Sequence, residues 1–298
     1  MNALTMPRPG ALMLRRRQVA RAGSAARAEA AAPFALAAAL QRLHAEPLRP
    51  RVPLVVRAQI VGSVEEGVFE RLAGGLPEGF GLWRIGRAWA LDGDDEALHT
   101  LALALRARGL CGPWRDERLA VRDAQGRRLG AIERGTARVL GLHTQAVHLI
   151  GRTERGEFWV QQRAHTKAED PGLWDTLVGG LVADGESALE ALTRETDEEA
   201  GLRLDALTRL RRGPSIHVRC PAPDAHGRGW RDEQLDSLIA TVPERLAPVN
   251  RDGEVAAFAR LSRTELLQWL REGRFTADAS ALLGLVCGAN DSRFHSVT

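Results

Sequence analysis

The sequence is poor in several residue types, and these shortages argue against several classes of protein. It contains no tyrosine and only three cysteines, Cys111, Cys220 and Cys287, which are far apart and form no CxxC pair. This pattern argues against a disulfide framework or a cysteine zinc site, and it predicts a reducing compartment, here the cytoplasm. No run of about 18 apolar residues occurs, so we expect no transmembrane helix.

Lysine is scarcer still, because Lys167 is the only lysine among 41 basic residues. Either it is a chance survivor of a bias toward arginine, or its compact ammonium is needed where a phosphate approaches closely. The net charge of +3 is small, and the basic excess lies near the N-terminus. No interleaving of basic and aromatic residues is visible, so we predict no nucleic-acid partner.

Length and charge predict four segments. Residues 1–33 have no acidic residue before Glu29, and we predict a disordered basic tail or a start codon placed too early, with Met6 or Met13 as the true start. The alternative is an organelle transit peptide, which an arginine-rich, acid-poor leader resembles. A chain of 298 residues exceeds the usual size of one domain. We therefore expect a small α+β domain over residues 34–138, an α/β domain over 139–290, and a C-terminal tail over 291–298.

Within the first domain, we predict strands over residues 54–61 and 83–91 and helices over 64–72 and 94–108. A hairpin is expected around the turn at residues 123–126. No catalytic constellation is visible in this domain. Its expected role is to shape or cover the site of the second domain.

The most informative stretch is an acidic helix predicted over residues 187–200, with Gly201 as its left-handed cap. Glu195, Glu198 and Glu199 stand at i, i+3 and i+4, so their carboxylates converge and repel each other. Their position in the last turn also opposes the helix dipole, at a cost of about 0.3–1 kcal/mol each. A divalent cation such as Mg²⁺ would relieve this repulsion. The alternative is a solvated acidic face. An apolar stripe is predicted to pack against the core: Ala188, Leu189, Leu192, Thr196 and Ala200.

The same stretch resembles the Nudix box, G-x5-E-x7-R-E-(aliphatic)-x-E-E-x-G-(aliphatic). Eight positions of the pattern match: Gly180, Glu186, Arg194, Glu195, Glu198, Glu199, Gly201 and Leu202. Only Thr196 departs, where an aliphatic residue is usual. The resemblance implies a Nudix α/β/α sandwich with a mixed sheet. It also implies hydrolysis of a diphosphate linked to a second group, X.

The resemblance further implies roles for the residues of the box. Glu195 and Glu199 match the glutamates that bind the catalytic divalent ion, Mg²⁺ or alternatively Mn²⁺, and Glu198 matches a ligand or a base. Gly180 matches the glycine whose carbonyl faces the metal.

Two further residues of the box match a supporting pair. Arg194 and Glu186 resemble the salt bridge that orients the glutamates. Their spacing requires Glu186 to lie in the turn before the helix.

The segment before the box resembles the wall of a substrate pocket in a subset of Nudix proteins. Arg163, Lys167 and Trp174 are its candidate substrate-binding residues, although a tryptophan such as Trp174 is more often a core residue. Glu254 follows a loop and precedes a predicted strand, where several Nudix enzymes carry an extra carboxylate; a turn glutamate on the surface is the alternative. We expect these four residues to contact the substrate.

Segments outside the box narrow the resemblance. WR-x-E at residues 114–117, IER at 132–134 and VH-x-x-G at 147–151 are similar to a Nudix branch with an N-terminal domain of uncharacterised function. That domain pair occurs joined to thiamine pyrophosphokinase. The implied substrate is thiamine diphosphate or a damaged analogue, cleaved to the monophosphate. The absence of tyrosine departs from the branch near residues 235–239.

Three other functions are alternatives to this prediction. A nucleoside diphosphate-X hydrolase would use the same box. A non-catalytic Nudix-fold sensor usually lacks box glutamates, which are intact here. An isopentenyl diphosphate isomerase needs a cysteine ahead of the box, and none lies between Cys111 and Cys220. The predicted protein is therefore a metal-dependent diphosphatase with a small-molecule substrate, as a monomer or a homodimer.

Overall fold

A computed structural model describes residues 36–72 and 74–288 of the chain. The predicted tails, residues 1–33 and 291–298, lie outside this part. None of the helices within it is long and apolar enough to span a membrane.

The first half of the chain forms a body around a four-stranded sheet and one long helix. The strands are β1 (Arg51–Val56), β2 (Gln59–Glu65), β3 (Leu82–Ile85) and β4 (Ala88–Leu91), and the helix is α2 (Asp95–Ala107). The strands lie in the order β2-β1-β4-β3 in the sheet. Asp94 begins α2 by accepting a hydrogen bond from the Glu96 N–H. The helix then buries Leu98, Leu101 and Leu105 in the core of this body.

A two-stranded hairpin continues this body toward the second half of the chain. It consists of β5 (Arg118–Arg122) and β6 (Arg128–Glu133), followed by the one-turn helix α3 (Arg134–Ala137). Asp123 holds the turn, because its carboxylate accepts from the N–H groups of Gln125 and Arg127, each at 2.9 Å. This hairpin and helix α2 agree with the sequence prediction.

Three other predictions in this body were wrong. Residues 54–61 form two antiparallel strands, not one, because Arg57 and Ala58 make the turn with φ of 49° and 64°. Such turns usually contain glycine or asparagine, so the sequence carried no signal for it. Residues 83–91 fold back in the same way at Gly86, whose φ is 55°. Residues 64–72 contain the end of β2 and a single 3-10 turn, where a helix was expected.

The second half of the chain forms a larger mixed sheet. The strands are β7 (His143–Thr153), β8 (Phe158–Arg163), β9 (Trp174–Asp175), β10 (Val178–Leu181), β11 (Thr208–Ala222), β12 (Gly229–Val242) and β13 (Val255–Leu261). Five of them lie side by side in the order β11-β12-β7-β8-β13, while β10 pairs with β7 and β9 pairs with β8. β12 and β7 are parallel, and β10 is antiparallel to β7.

Helices cover both faces of this sheet. They are α4 (Ala188–Ala200), the short α5 (Asp224–Gly227), α6 (Arg263–Arg271) and α7 (Ala277–Gly288). Helix α4 packs Ala191 and Leu192 against Val147 of the sheet. Leu189, predicted in this stripe, lies in the first turn at the margin of the buried face and is 50% exposed. Helices α6 and α7 pack in a separate core on strands of the same sheet. The predicted α/β/α sandwich with a mixed sheet is therefore confirmed.

The contacts between the two bodies place the boundary differently from the sequence. Helix α1, residues 36–43, buries Ala39 and Leu43 in the core formed by α6 and α7. Conversely, Val139, Leu140 and Leu142 belong to the core of the first body. Residues 36–45 thus pack with the second body, and the first body extends to residue 142. The apolar pattern of α1 indicated that it packs, but could not indicate its partner.

The packing of α1 gives a stability prediction. Leu43 is 2% exposed, so Leu43→Ala leaves a cavity and should destabilise the protein by about 2–5 kcal/mol. Leu103→Ala is the matched control, because Leu103 is 44% exposed. Thermal unfolding of both variants measures the difference. Equal melting temperatures would contradict the docking of α1 on the second body.

Candidate active site

The candidate site is built on a strand, a turn and a helix. Strand β10 places Gly179 opposite His148 and Gly180 opposite Val147 of β7. The chain then turns at residues 182–187 and enters α4 after Ser187. The Ser187 hydroxyl accepts a hydrogen bond from the Glu190 N–H, and the Glu190 carboxylate accepts one from the Ser187 N–H. Gly201 ends the helix with a φ of 60°. The predicted start and end of this helix are confirmed.

Gly180 lets the helix approach the strand closely. A Cβ atom at this position would lie 2.0 Å from Oε1 of Glu195 and 2.5 Å from its Cγ, so any side chain would displace the whole carboxylate. Glycine is therefore required for Glu195 to lie against β10.

Glu199 is the most deeply buried carboxylate of the site. It is 2% exposed, and its Oε2 accepts hydrogen bonds from the Gly179 N–H at 2.9 Å and from Nε2 of Gln161 at 3.0 Å. Burial raises the pKa of Glu199 to about 8, although these hydrogen bonds and the charge of Lys167 oppose the shift. Oε1 of Gln161 is buried without a hydrogen-bond partner among the described residues.

Glu195 lies beside Glu199 and is also buried. Burial raises its pKa to about 7, while the neighbouring charge and hydrogen bond of Arg194 oppose the rise. Two desolvated carboxylates form a donor set that fits a hard divalent cation. Glu198, by contrast, keeps 47% of its side chain exposed at the edge of the same cavity.

Arg194 holds the acidic helix to the preceding turn. Its Nε and Nη2 donate to the two oxygens of Glu186 at 2.8 and 2.9 Å, a bidentate pair. Its Nη1 donates to Glu195 at 2.7 Å and to Glu198 at 3.1 Å, and Nη2 also reaches the carbonyl of Leu181. The expected pairing of Glu186 and Arg194, with Glu186 in the turn before the helix, is present.

A cavity of about 400 Å³ opens beside these carboxylates. Lys167 and Glu254 both line it, and the ammonium of Lys167 donates to the carboxylate of Glu254. Arg163 lines it as well; its guanidinium donates to the carbonyl of Glu169 and lies 3.5 Å from Asp175. The structure therefore brings three of the four predicted substrate-binding residues to one cavity.

The fourth, Trp174, needs correction. It does not line the cavity; its ring packs against Trp269 with centroids 4.9 Å apart. Its N–H donates to the carbonyl of Arg274, and its own carbonyl accepts from Thr276, each at 2.9 Å. Trp174 is thus a core residue that ties β9 to the segment before α7. Residue type and spacing could not separate these roles, because a tryptophan next to a pocket motif suits both.

Sequence reasoning missed other residues that line the cavity. His148 on β7 is buried, and Arg231 on β12 bonds Asp278 of α7 through both guanidinium Nη atoms at 3.0 and 2.7 Å. Arg115 and Arg134 reach the cavity from the first body. These residues are far apart along the chain, and a single sequence does not indicate which distant residues are in contact. Their position around one cavity could therefore be seen only in the fold.

Comparisons with known proteins agree with this geometry. The family model described as NUDIX domain matches residues 142–280. An uncharacterized Nudix hydrolase of Pseudomonas aeruginosa is 34% identical over 152 residues, which are 50% of this chain and 80% of that protein. A second one, from Streptomyces coelicolor, is 38% identical over 163 residues, 55% of this chain and 84% of that protein.

The chain belongs to the Nudix family. It is accordingly a hydrolase that acts on diphosphate linkages in small molecules, and Nudix hydrolases generally use divalent metals such as Mg²⁺ or Mn²⁺. A crystal structure from Deinococcus radiodurans is 24% identical at a TM-score of 0.46, covering 58% of this chain and 100% of that one.

A further relative aligns over most of the chain. Nudix hydrolase 24, chloroplastic, of Arabidopsis thaliana is 26% identical over 250 residues, 80% of this chain and 67% of that protein. This alignment is longer than the 142–280 segment, so it includes residues outside the Nudix domain. The similarity therefore extends into other parts of the chain.

The close approach at Gly180 gives a first prediction for this Nudix site. Gly180→Ala should displace Glu195 and lower the affinity for Mn²⁺ at least about tenfold, since a ligand carboxylate moves. Gly185→Ala is the matched control, because a Cβ there meets no atom within 4 Å, although its φ of 87° adds backbone strain. Calorimetric titration with Mn²⁺ measures both. An unchanged affinity in Gly180→Ala would contradict the role of this approach.

The buried Glu199 gives a second prediction, on stability against pH. The carboxyl is protonated in the metal-free folded state up to about pH 8, but in the unfolded chain only to about pH 4.5. Stability should therefore fall as pH rises through this window. Glu199→Gln should remove the contribution of Glu199 to this dependence, leaving that of Glu195, and raise the melting temperature of the metal-free protein at pH 8 by on the order of 5 °C. Parallel unfolding curves of both proteins between pH 5 and 8 would contradict the assignment.

Proposed function

We propose that Glu195, Glu199 and the carbonyl of Gly180 hold a catalytic divalent ion, with Mg²⁺ as the natural metal and Mn²⁺ as a substitute. The observation that carries this proposal is the pair of buried carboxylates with raised pKa values beside β10. An uncompensated buried carboxylate is costly, and a bound cation removes that cost. The donor set consists of oxygens, which Mg²⁺ prefers.

When bound, a divalent ion supplies neutralisation of the diphosphate charge and a water of lowered pKa. Glu198 faces the cavity and is half exposed, so it serves as a further ligand or as the base that accepts a proton from that water. Arg194, fixed by Glu186, keeps Glu195 and Glu198 in place. Arg194 and Glu186 are therefore positioning residues.

We propose that Lys167 and Arg163 bind the phosphates of the substrate. In the substrate-free protein Lys167 is paired with Glu254, and both groups are partly exposed to the cavity. A phosphate oxygen would take the place of Glu254 on the ammonium. Glu254, released from this pair, then lies at the cavity wall close to the reacting groups.

The proposed substrate is thiamine diphosphate or a damaged analogue, hydrolysed to the monophosphate. The resemblance of the flanking segments supports this class, and so does the charge of the cavity. Its lining contains ten aspartates and glutamates but only seven lysines and arginines. An acidic excess beyond the metal ligands suits a group X that carries a positive charge, as the thiazolium of thiamine does.

The experiment is a release assay for phosphate and monophosphate with Mg²⁺ or with EDTA. The panel holds thiamine diphosphate, oxothiamine and oxythiamine diphosphates, ADP-ribose, NADH and 8-oxo-dGTP. We expect metal-dependent cleavage of the thiamine compounds, and loss of turnover by at least about 10²-fold in Glu199→Gln. Lys167→Ala should raise KM more than it lowers kcat.

Each other outcome has a defined meaning. Cleavage confined to nucleotides would support a nucleoside diphosphate-X hydrolase and exclude the thiamine class. Unchanged turnover in Glu199→Gln would contradict the metal site. Leu189→Ala is the control, because Leu189 lies on the same helix and is half exposed outside the cavity.

A further inference from the structure

The first body of the protein supplies part of the wall of the Nudix cavity. Arg115, Glu117, Arg134 and Arg138 line it together with Glu195 and Glu198 of helix α4. All four precede residue 142, where the match to the Nudix family model begins. The cavity is therefore incomplete without residues from outside the Nudix segment.

Two of these arginines lie on a firmly held piece of backbone. The Gly112 N–H donates to the carbonyl of Gly135 at 2.7 Å, and the Arg134 N–H donates to the carbonyl of Glu117 at 2.8 Å. The N–H of Arg115 donates to the carboxylate of Glu133, which is 4% exposed. The loop that carries Arg115 is thus fastened to helix α3, which carries Arg134.

The guanidinium groups of Arg115 and Arg134 differ in their hydrogen-bond partners. Nη1 of Arg134 donates to Glu117 at 2.6 Å, so part of its donor set is engaged. The guanidinium of Arg115 is exposed to the cavity and makes no hydrogen bond or ion pair within residues 36–72 and 74–288. An arginine with five unused donors at the wall of a cavity is suited to an anionic ligand.

Their charges act on the acidic side of the cavity. Burial by itself would raise the pKa of Glu254, but the hydrogen bond and charge of Lys167, then the charges of Arg134 and Arg115, hold it below its usual range. The charge of Arg134 also acts on Glu195. Both arginines are therefore electrostatically close to Glu254, and Arg134 is also close to Glu195.

We propose that Arg115 and Arg134 form an anion subsite, supplied by the first body, that binds the phosphate oxygens of the substrate diphosphate. This inference rests on the proposed function, since it assumes that the diphosphate lies between these arginines and the acidic helix α4. The planar forks of two guanidinium groups match phosphate oxygens bidentately. The first body would thus take part in substrate binding as well as in covering the cavity.

The test uses methylenediphosphonate, whose P–C–P linkage cannot be hydrolysed. Its affinity for the full chain is measured by calorimetry, with saturating Mn²⁺ and without metal. We expect Arg115→Ala and Arg134→Ala each to weaken binding about tenfold or more, because each removes charged hydrogen bonds to phosphate. Arg115→Lys should weaken it less. The affinity for Mn²⁺ alone should not change.

Arg122→Ala is the matched control. Arg122 belongs to the hairpin whose strands lie between Arg115 and Arg134 in the chain, and it is exposed, but it does not line this cavity. We expect the Arg122→Ala variant to bind methylenediphosphonate with the same affinity as the unchanged protein. Arg115→Glu serves as a second variant with reversed charge, and thermal unfolding verifies that each variant is folded.

The outcomes separate this inference from the proposed function. If folded Arg115→Ala and Arg134→Ala bind methylenediphosphonate as tightly as Arg122→Ala does, the anion subsite is overturned. The same conclusion follows if the unchanged protein binds Mn²⁺ but no methylenediphosphonate. A failure to bind Mn²⁺ would instead contradict the proposed metal site. The titration without metal would then decide the subsite by the same comparison.

Discussion

The structure of the site depends on the burial of two carboxylates between helix α4 and strand β10. Glu195 fits only because Gly180 has no side chain, and Glu199 is held by the N–H of Gly179 and the amide of Gln161. Removing these groups from water raises the pKa of both. The helix thus stores an electrostatic cost that a bound cation offsets. Other features of the box limit this cost: Arg194 neutralises part of the charge, and Glu186 fixes Arg194 in place.

The second constraint is the union of the two bodies. Arg51 of the first body donates to the carbonyl of Val139 in the same body at 2.9 Å and to the carbonyl of Arg228 at 2.8 Å, and the second bond joins β1 to the residue before β12. Helix α1 precedes the first body in the chain but packs on α6 and α7 of the second body. These contacts between the bodies hold the arginines of residues 115–138 beside the acidic helix α4. The cavity is therefore a product of both bodies, although the box that defines the chemistry lies in one.

Much of the fold could be predicted where a local rule dominates. Helix α4 was predicted from its helix-forming composition and from Gly201, which ends it. The hairpin at Asp123 was found from its turn. The predictions failed where a turn used residues without a turn signal, as at Arg57 and Ala58, because both adopt positive φ values that no local preference of these residue types favours. The same limit applied to Trp174, whose ring could equally have packed on a substrate or on Trp269.

The sequence by itself determined the chemistry: the spacing of Glu186, Arg194, Glu195, Glu198 and Glu199 places a salt bridge and three carboxylates on one helix and its leading turn. That inference is local, because helix periodicity converts spacing directly into proximity. Only the tertiary structure decided which carboxylates are buried, that Lys167 meets Glu254, and that Arg115 and Arg134 face the same cavity. Lys167 and Glu254 come together through the fold of the second body, and the two arginines reach the cavity from the first body, so tertiary packing decides each of these contacts. No pattern in a single chain records that packing.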